Sequence, residues 1–203
     1  IDANGVGLAV TGPYADGVPT DRRNLVTRAL QLAERTAHVT IDKRIPHGGG
    51  LGGGSSNAAA VLRWCGFTDL VAASAIGADV PFCLVGGRAR VTGIGEIIQS
   101  LPFVEREVTL VIPPLRVGTP AAYRAWDELG GPTGPGPNDL EAAAIRVEPD
   151  LARWRDRIGD ACGATPTLAG SGATWFVLGE HSNALAALSS EGAEIVAART
   201  VPG

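Results

Sequence analysis

The chain has 203 residues, 45% hydrophobic and 19% charged, enough to bury one large core or two small ones. A net charge of -4 and a pI near 5.4 argue against a partner held through a nucleic-acid backbone, and the few aromatics show no basic interleaving. No apolar run approaches the ~20 residues that cross a bilayer, and no signal-like segment opens the chain, so a cytoplasmic protein without membrane or nucleic-acid partner is expected.

In chain order, residues 6–12 read as a strand running into a Gly/Pro loop, and residues 24–34 carry apolar side chains at helical spacing, with Asp21 as the expected N-cap. HVTIDKRI at 38–45 alternates like a strand. The segment IPHGGGLGGGSSN follows at 45–57, and helices are expected over 57–64 and 69–76. GADVPFCLVGG at 77–87 reads as a turn-rich segment, 89–101 as short strands and 107–114 as another strand. Residues 118–130 predict a helix with Pro120 in its first turn, and GGPTGPGP at 130–137 a surface loop. Helices are expected within 138–145 and 149–158, then paired strands around the Gly-Ser-Gly at 170–172, and finally a helix and a strand.

The glycine segment carries the functional signal. From Gly48 to Gly54 only Leu51 interrupts the glycines, so backbone N–H groups can turn inward around an anion, and the alanine-rich helix behind offers an N-terminus to a phosphate. A P-loop requires lysine after its last glycine; here Ser55 follows Gly54. Gly48, Gly50 and Gly53 satisfy G-x-G-x-x-G and Asp69 lies at the distance of a ribose-binding acid, but Asp69 opens a helical pattern instead of ending a strand. A flexible linker is the plain alternative, set against a position between a strand and an apolar helix.

Cys65, Cys83 and Cys162 are odd in number and form no CxxC, so reduced thiols are expected. His38 and His181 lie apart from the loop, and only His47 adjoins it. The chain has no methionine and begins with Ile1, which predicts a processed or truncated product.

PHGGGLGGGSS with NAAAVL resembles the phosphate loop of the GHMP small-molecule kinases, and TDRRNLV, GADVPF, GIGE, NDLE and LAGSGATWF accompany it in the family's order. The resemblance implies an α+β fold, with a ribosomal protein S5 domain 2-like ATP-binding part over 1–102 and a ferredoxin-like part over 103–203. It implies transfer of the ATP γ-phosphate to a hydroxyl of a small cytidylated substrate, with ATP and Mg2+ as cofactors. By the same resemblance Pro46, His47, Gly48, Gly49, Gly50, Leu51, Gly52, Gly53, Gly54, Ser55, Ser56 and Asn57 wrap the triphosphate, while Lys43 and Asn24 lie near the nucleotide. Ser55 or Ser56 touches the metal; as plain sequence, the two serines read equally as helix caps. Asp79 is implied as the catalytic base in contact with substrate, and Thr119, Pro120 and Tyr123 as the site where an aromatic stacks on cytosine. Gly170, Ser171 and Gly172 correspond to the family's third glycine motif, although a hairpin turn has the same appearance.

The family's opening segment, with a lysine on the first strand and a Tyr-His pair that grips the cytidine, has no counterpart before Ile1. ATP binding with little turnover is therefore expected of this chain. The alternatives are a different GHMP kinase and a nucleotide-binding remnant without catalysis.

Overall fold

Alternation in the first third of the chain produces a parallel pair, β1 (Gly7–Thr11) and β2 (His38–Asp42), in the register Gly7 to His38. A helix, α1 (Leu25–Leu32), makes the connection between them. The computed structural model describes residues 1–131 and 136–203. By contact, the chain divides into a first unit of Ile1–His47, Gly52–Val104 and Val201–Gly203, and a second of Gly48–Leu51 and Glu105–Thr200.

In the first unit, α1 packs on α2 (Gly53–Trp64), and α2 on α4 (Val80–Val85), with the short α3 (Leu70–Ser74) alongside. Alanines make the close approach possible: Ala29, Ala58, Ala59 and Ala73 are fully buried beside Val26, Val61, Leu62 and Val80. A hairpin of β3 (Arg88–Thr92) and β4 (Ile97–Leu101) completes the unit. The strands of this unit thus form two separate pairs.

The second unit is a four-stranded antiparallel sheet in the order β6-β7-β5-β8, built from β5 (Glu107–Ile112), β6 (Thr167–Leu168), β7 (Trp175–Leu178) and β8 (Glu194–Arg199). Between β5 and β6 run α5 (Thr119–Glu128), α6 (Glu141–Val147) and α7 (Asp150–Cys162), and α8 (Ser182–Leu185) precedes a 3-10 turn before β8. Helices and strands alternate as a ferredoxin-like half requires. Inward residues of alternate strand positions, Val111, Trp175 and Val177, meet Leu151, Ile158 and Leu185 from the helices in one core.

Four local expectations are corrected. Asn24, not Asp21, caps α1: its side chain accepts the Val26 N–H at 2.9 Å, whereas Asp21 pairs with Arg23. The helix expected from residue 57 begins at Gly53, because left-handed Gly52 (φ 64°) turns the chain and the alanine run propagates back through two glycines. Ser55 and Ser56 therefore lie inside the first turn and do not cap it. The turn-rich 77–87 contains α4, since Pro81 occupies a first-turn position where its missing N–H has no helical partner. Of the expected surface loop, residues 132–135 lie outside the described residues.

Candidate active site

The end of β2 delivers Lys43 to the start of α2. Its backbone is held on both sides, the N–H donating to Thr11 at 2.7 Å and the carbonyl accepting from Tyr14 at 3.2 Å. The side chain is almost wholly buried, at 5% exposure, and its Nζ lies 3.1 Å from where a Cβ on Gly53 would stand. Burial pushes the Lys43 ammonium below the usual lysine range. Among the described residues Lys43 forms no ion pair, and no side chain caps the α2 N-terminus beside it. A buried ammonium and a helix N-terminus are both positive, so holding them together favours an anion at this point.

The loop before α2 is built for the same purpose. Gly48, Gly50 and Gly52 have φ of 74°, 74° and 64°, while Gly49 and Leu51 between them do not have positive φ. Alternation of this kind turns successive N–H groups toward one side and forms an anion-binding concavity. Pro46 and His47 lead into it, half-buried, with the His47 ring against Gly17 at 3.4 Å from its Cβ position. Ser55 is buried, Ser56 is exposed one residue on, and Asn57 is half-buried in the second turn.

Within the second unit the loop rests on the third glycine motif. Gly49 accepts the Thr174 N–H at 3.3 Å. A Cβ on Gly50 would collide with the Ala169 carbonyl oxygen and stand 3.1 Å from the Gly172 nitrogen, and one on Gly170 would be 3.1 Å from the Gly50 oxygen. Gly50 and Gly170 thus meet backbone to backbone, at φ values of 74° and 53° that suit glycine. Ser171, 6% exposed, shares a hydrogen bond with Thr119 at 2.9 Å. Thr119 and Pro120 open α5, and Tyr123 projects at 53% exposure while Ala122 and Ala125 face the core, so Tyr123 is not a packing residue.

In the first unit Asp79 is exposed at the start of α4 and its side chain does not cap that helix. Two of the sequence motifs meet beside it: a Cβ on Gly95 of GIGE would collide with the Ala78 carbonyl of GADVP, and Glu96 accepts the Ile94 N–H at 2.8 Å to shape that turn. Cys83, one turn further, is raised above the usual thiol value by burial and then by the Asp79 carboxylate. Asn24 uses both ends of its amide locally, accepting from Val26 and donating to Pro19 at 2.7 Å. Asp69 caps α3 through the Ala72 N–H at 2.9 Å, which ends the ribose-acid reading.

Phosphate fits the first-unit part of this setting, since the open N–H groups of α2 and Lys43 are all donors or positive. A caged metal does not: among the described residues no group of three or more His, Cys, Asp or Glu could hold one. Mg2+ fits only as an ion carried mainly by phosphate oxygens, with a first-turn serine hydroxyl within the same segment. One contributor carried no signal of its own in the sequence beyond its motif: Asn138 of NDLE, whose amide donates to the Gly170 carbonyl at 2.7 Å. Its Asx turn onto the Leu140 N–H, at 2.9 Å, is the local pattern that N-D-L before a helix could have suggested.

Comparison with known proteins follows the same lines. The family model described as the GHMP kinases N terminal domain matches residues 24–87. The 4-diphosphocytidyl-2-C-methyl-D-erythritol kinase of Paracoccus denitrificans (strain Pd 1222) is 38% identical over 190 residues, covering 84% of this chain and 69% of that protein. The enzyme of the same name from Jannaschia sp. (strain CCS1) is 37% identical over 204 residues, covering 88% and 73%. A crystal structure of 4-(cytidine 5'-diphospho)-2C-methyl-D-erythritol kinase superposes with a TM-score of 0.73 at 32% identity, over 100% of this chain and 85% of that one.

Proposed function

Since the chain belongs to the 4-diphosphocytidyl-2-C-methyl-D-erythritol kinases, a branch of the GHMP kinases, we propose that it phosphorylates the 2-hydroxyl of that cytidylated alcohol with ATP, a step of the non-mevalonate route to isoprenoid precursors. The observation that carries the reading is the buried Lys43 ammonium set against the uncapped N-terminus of α2, the helix into which the alternating positive-φ glycines lead along the chain.

Residues 1–102 are proposed as the nucleotide domain and residues 103–203 as the C-terminal domain of the family. Residues 46–57 and Lys43 receive the triphosphate, the N–H groups and ammonium offsetting charge that spreads over the phosphoryl oxygens. Asn24 contributes by fixing the loop at Pro19 ahead of α1. Mg2+ would supply further neutralisation, with Ser55 or Ser56 as its protein contact. Asp79 orients the acceptor hydroxyl and takes its proton as the oxygen bonds to the γ-phosphorus and the bond to the departing ADP breaks. Its carboxylate acts chiefly through position, because the transition state is loose. Tyr123, with Thr119 and Pro120, stacks on the cytosine ring. A cytoplasmic location fits reactants that are small, charged metabolites, and no described helix is long and apolar enough to cross a membrane.

Calorimetric titration with ATP, together with ATP consumption measured with and without the cytidylated alcohol, tests the reading. Lys43→Met is expected to weaken ATP at least tenfold. Unchanged ATP affinity in that variant would remove the phosphate seat, and consumption indifferent to the alcohol would remove the acceptor.

A further inference from the structure

Asn138 is tied to three backbone groups at once. Its Nδ2 donates to the carbonyls of Leu168 at 2.8 Å and Gly170 at 2.7 Å, and its Oδ1 accepts the Leu140 N–H at 2.9 Å. Leu168 belongs to β6, the edge strand of the four-stranded sheet, with no neighbouring strand beyond it among the described residues. The amide therefore takes the place of a missing strand and satisfies carbonyls that would otherwise face outward.

The consequence lies one residue further along. Gly170 is exposed and left-handed at φ 53°, and a glycine of that kind has many backbone states open to it unless something selects one. Two bonds do so: the Asn138 amide donates to the Gly170 carbonyl, and the Thr119 and Ser171 hydroxyls share a hydrogen bond at 2.9 Å. Against the selected turn rests Gly50, too close to Ala169 for any Cβ. Asn138, Gly170 and Gly50 form a continuous physical chain within the second unit, ending in the glycine nest.

We propose that Asn138 is a positioning residue for the phosphate loop. Its amide fixes the Ala169–Gly172 turn, the turn supports Gly50, and the conformation of the nest at Gly48–Gly52 follows. This rests on the reading of that loop as the ATP phosphate seat.

Asn138→Asp keeps the shape and the acceptor for Leu140 but replaces both donated hydrogen bonds by a carboxylate facing two carbonyls. In the full 203-residue chain it is expected to raise the ATP Kd at least tenfold, with the number of sites per folded chain unchanged. Turnover, where measured, loses in ATP KM and not in kcat at saturating ATP. Should the aspartate variant fail to fold, Asn138→Ser, neutral and too short to span both carbonyls, gives the same readout. A role confined to stability would lower the melting temperature or the fraction of competent sites and leave Kd alone, and that result would overturn the inference. The effect should also be less than multiplicative with Gly50→Ala, since both act through one contact. Lys43→Met separates the two levels. If it leaves ATP affinity unchanged, the phosphate seat fails and this inference with it; if it weakens ATP while Asn138→Asp and Asn138→Ser do not, only the positioning role is lost.

Discussion

Gly50 and Gly52 share a positive φ of similar size and have opposite surroundings, which makes their alanine variants an internal control. At φ 74° and 64°, a Cβ is strained in both, at a cost of about 1–2 kcal/mol each. Around Gly52 nothing lies within 4 Å of the added carbon, so strain is the whole effect there. At Gly50 the carbon also meets the Ala169 carbonyl and stands 2.9 Å from its carbon atom, both backbone atoms that cannot rotate away. Forced displacement of packed groups costs a further ~1–3 kcal/mol. Gly50→Ala should therefore destabilise by about 2–5 kcal/mol, against about 1–2 kcal/mol for Gly52→Ala. Urea unfolding followed by tryptophan fluorescence reads the difference, because Trp154 and Trp175 lie buried in the second unit to which Gly50 belongs. Equal losses in the two variants would refute the close apposition of the two glycine segments, and with it the account of why glycine is required at residue 50.

Asp79→Asn is expected to cut turnover by about 10²–10⁴-fold while ATP affinity stays within about twofold, as removal of a proton acceptor does; undiminished turnover would sink the role. Tyr123→Ala should raise the KM for the cytidylated alcohol by roughly 5–150-fold, the equivalent of a lost ring stack of about 1–3 kcal/mol, with Tyr123→Phe close to the parent. Because Tyr123 is exposed, neither variant should shift the urea midpoint, and a large shift would indicate a packing role instead. For Lys43 the folded pKa is depressed by burial, so between it and the ordinary lysine value the unfolded chain binds more protons and stability rises with pH. Unfolding free energy of the ligand-free chain should climb as pH rises through the lowered value toward the lysine range, and Lys43→Met should flatten that climb. The ammonium is also the form that attracts phosphate, so ATP affinity should fall over the same rise; a parallel increase would contradict the assignment.

Much of the molecule was legible along the chain. Apolar spacing located α1, alternation located β2, the segments of β1, β5, α5 and α7 were also placed, and the glycine segment with GADVP, GIGE, NDLE and LAGSGATWF carried the family, because each of these signals is local and depends on neighbours a few residues away. Where the local rules compete, the reading failed. Pro81 and the flanking glycines hid α4, and Asp21 reads in the sequence as the cap that Asn24, three residues on, supplies. The contacts that shape the candidate site join residues distant in sequence. Gly50 against Ala169, Thr119 with Ser171, Gly95 on Ala78, and the Asn138 amide on Gly170 are backbone approaches and hydrogen bonds that no periodicity records. Lys43 shows the division most clearly. The sequence determined that a lysine directly follows the second strand, but only tertiary packing decided that its charge is buried beside the start of α2, where desolvation makes an incoming anion the natural partner.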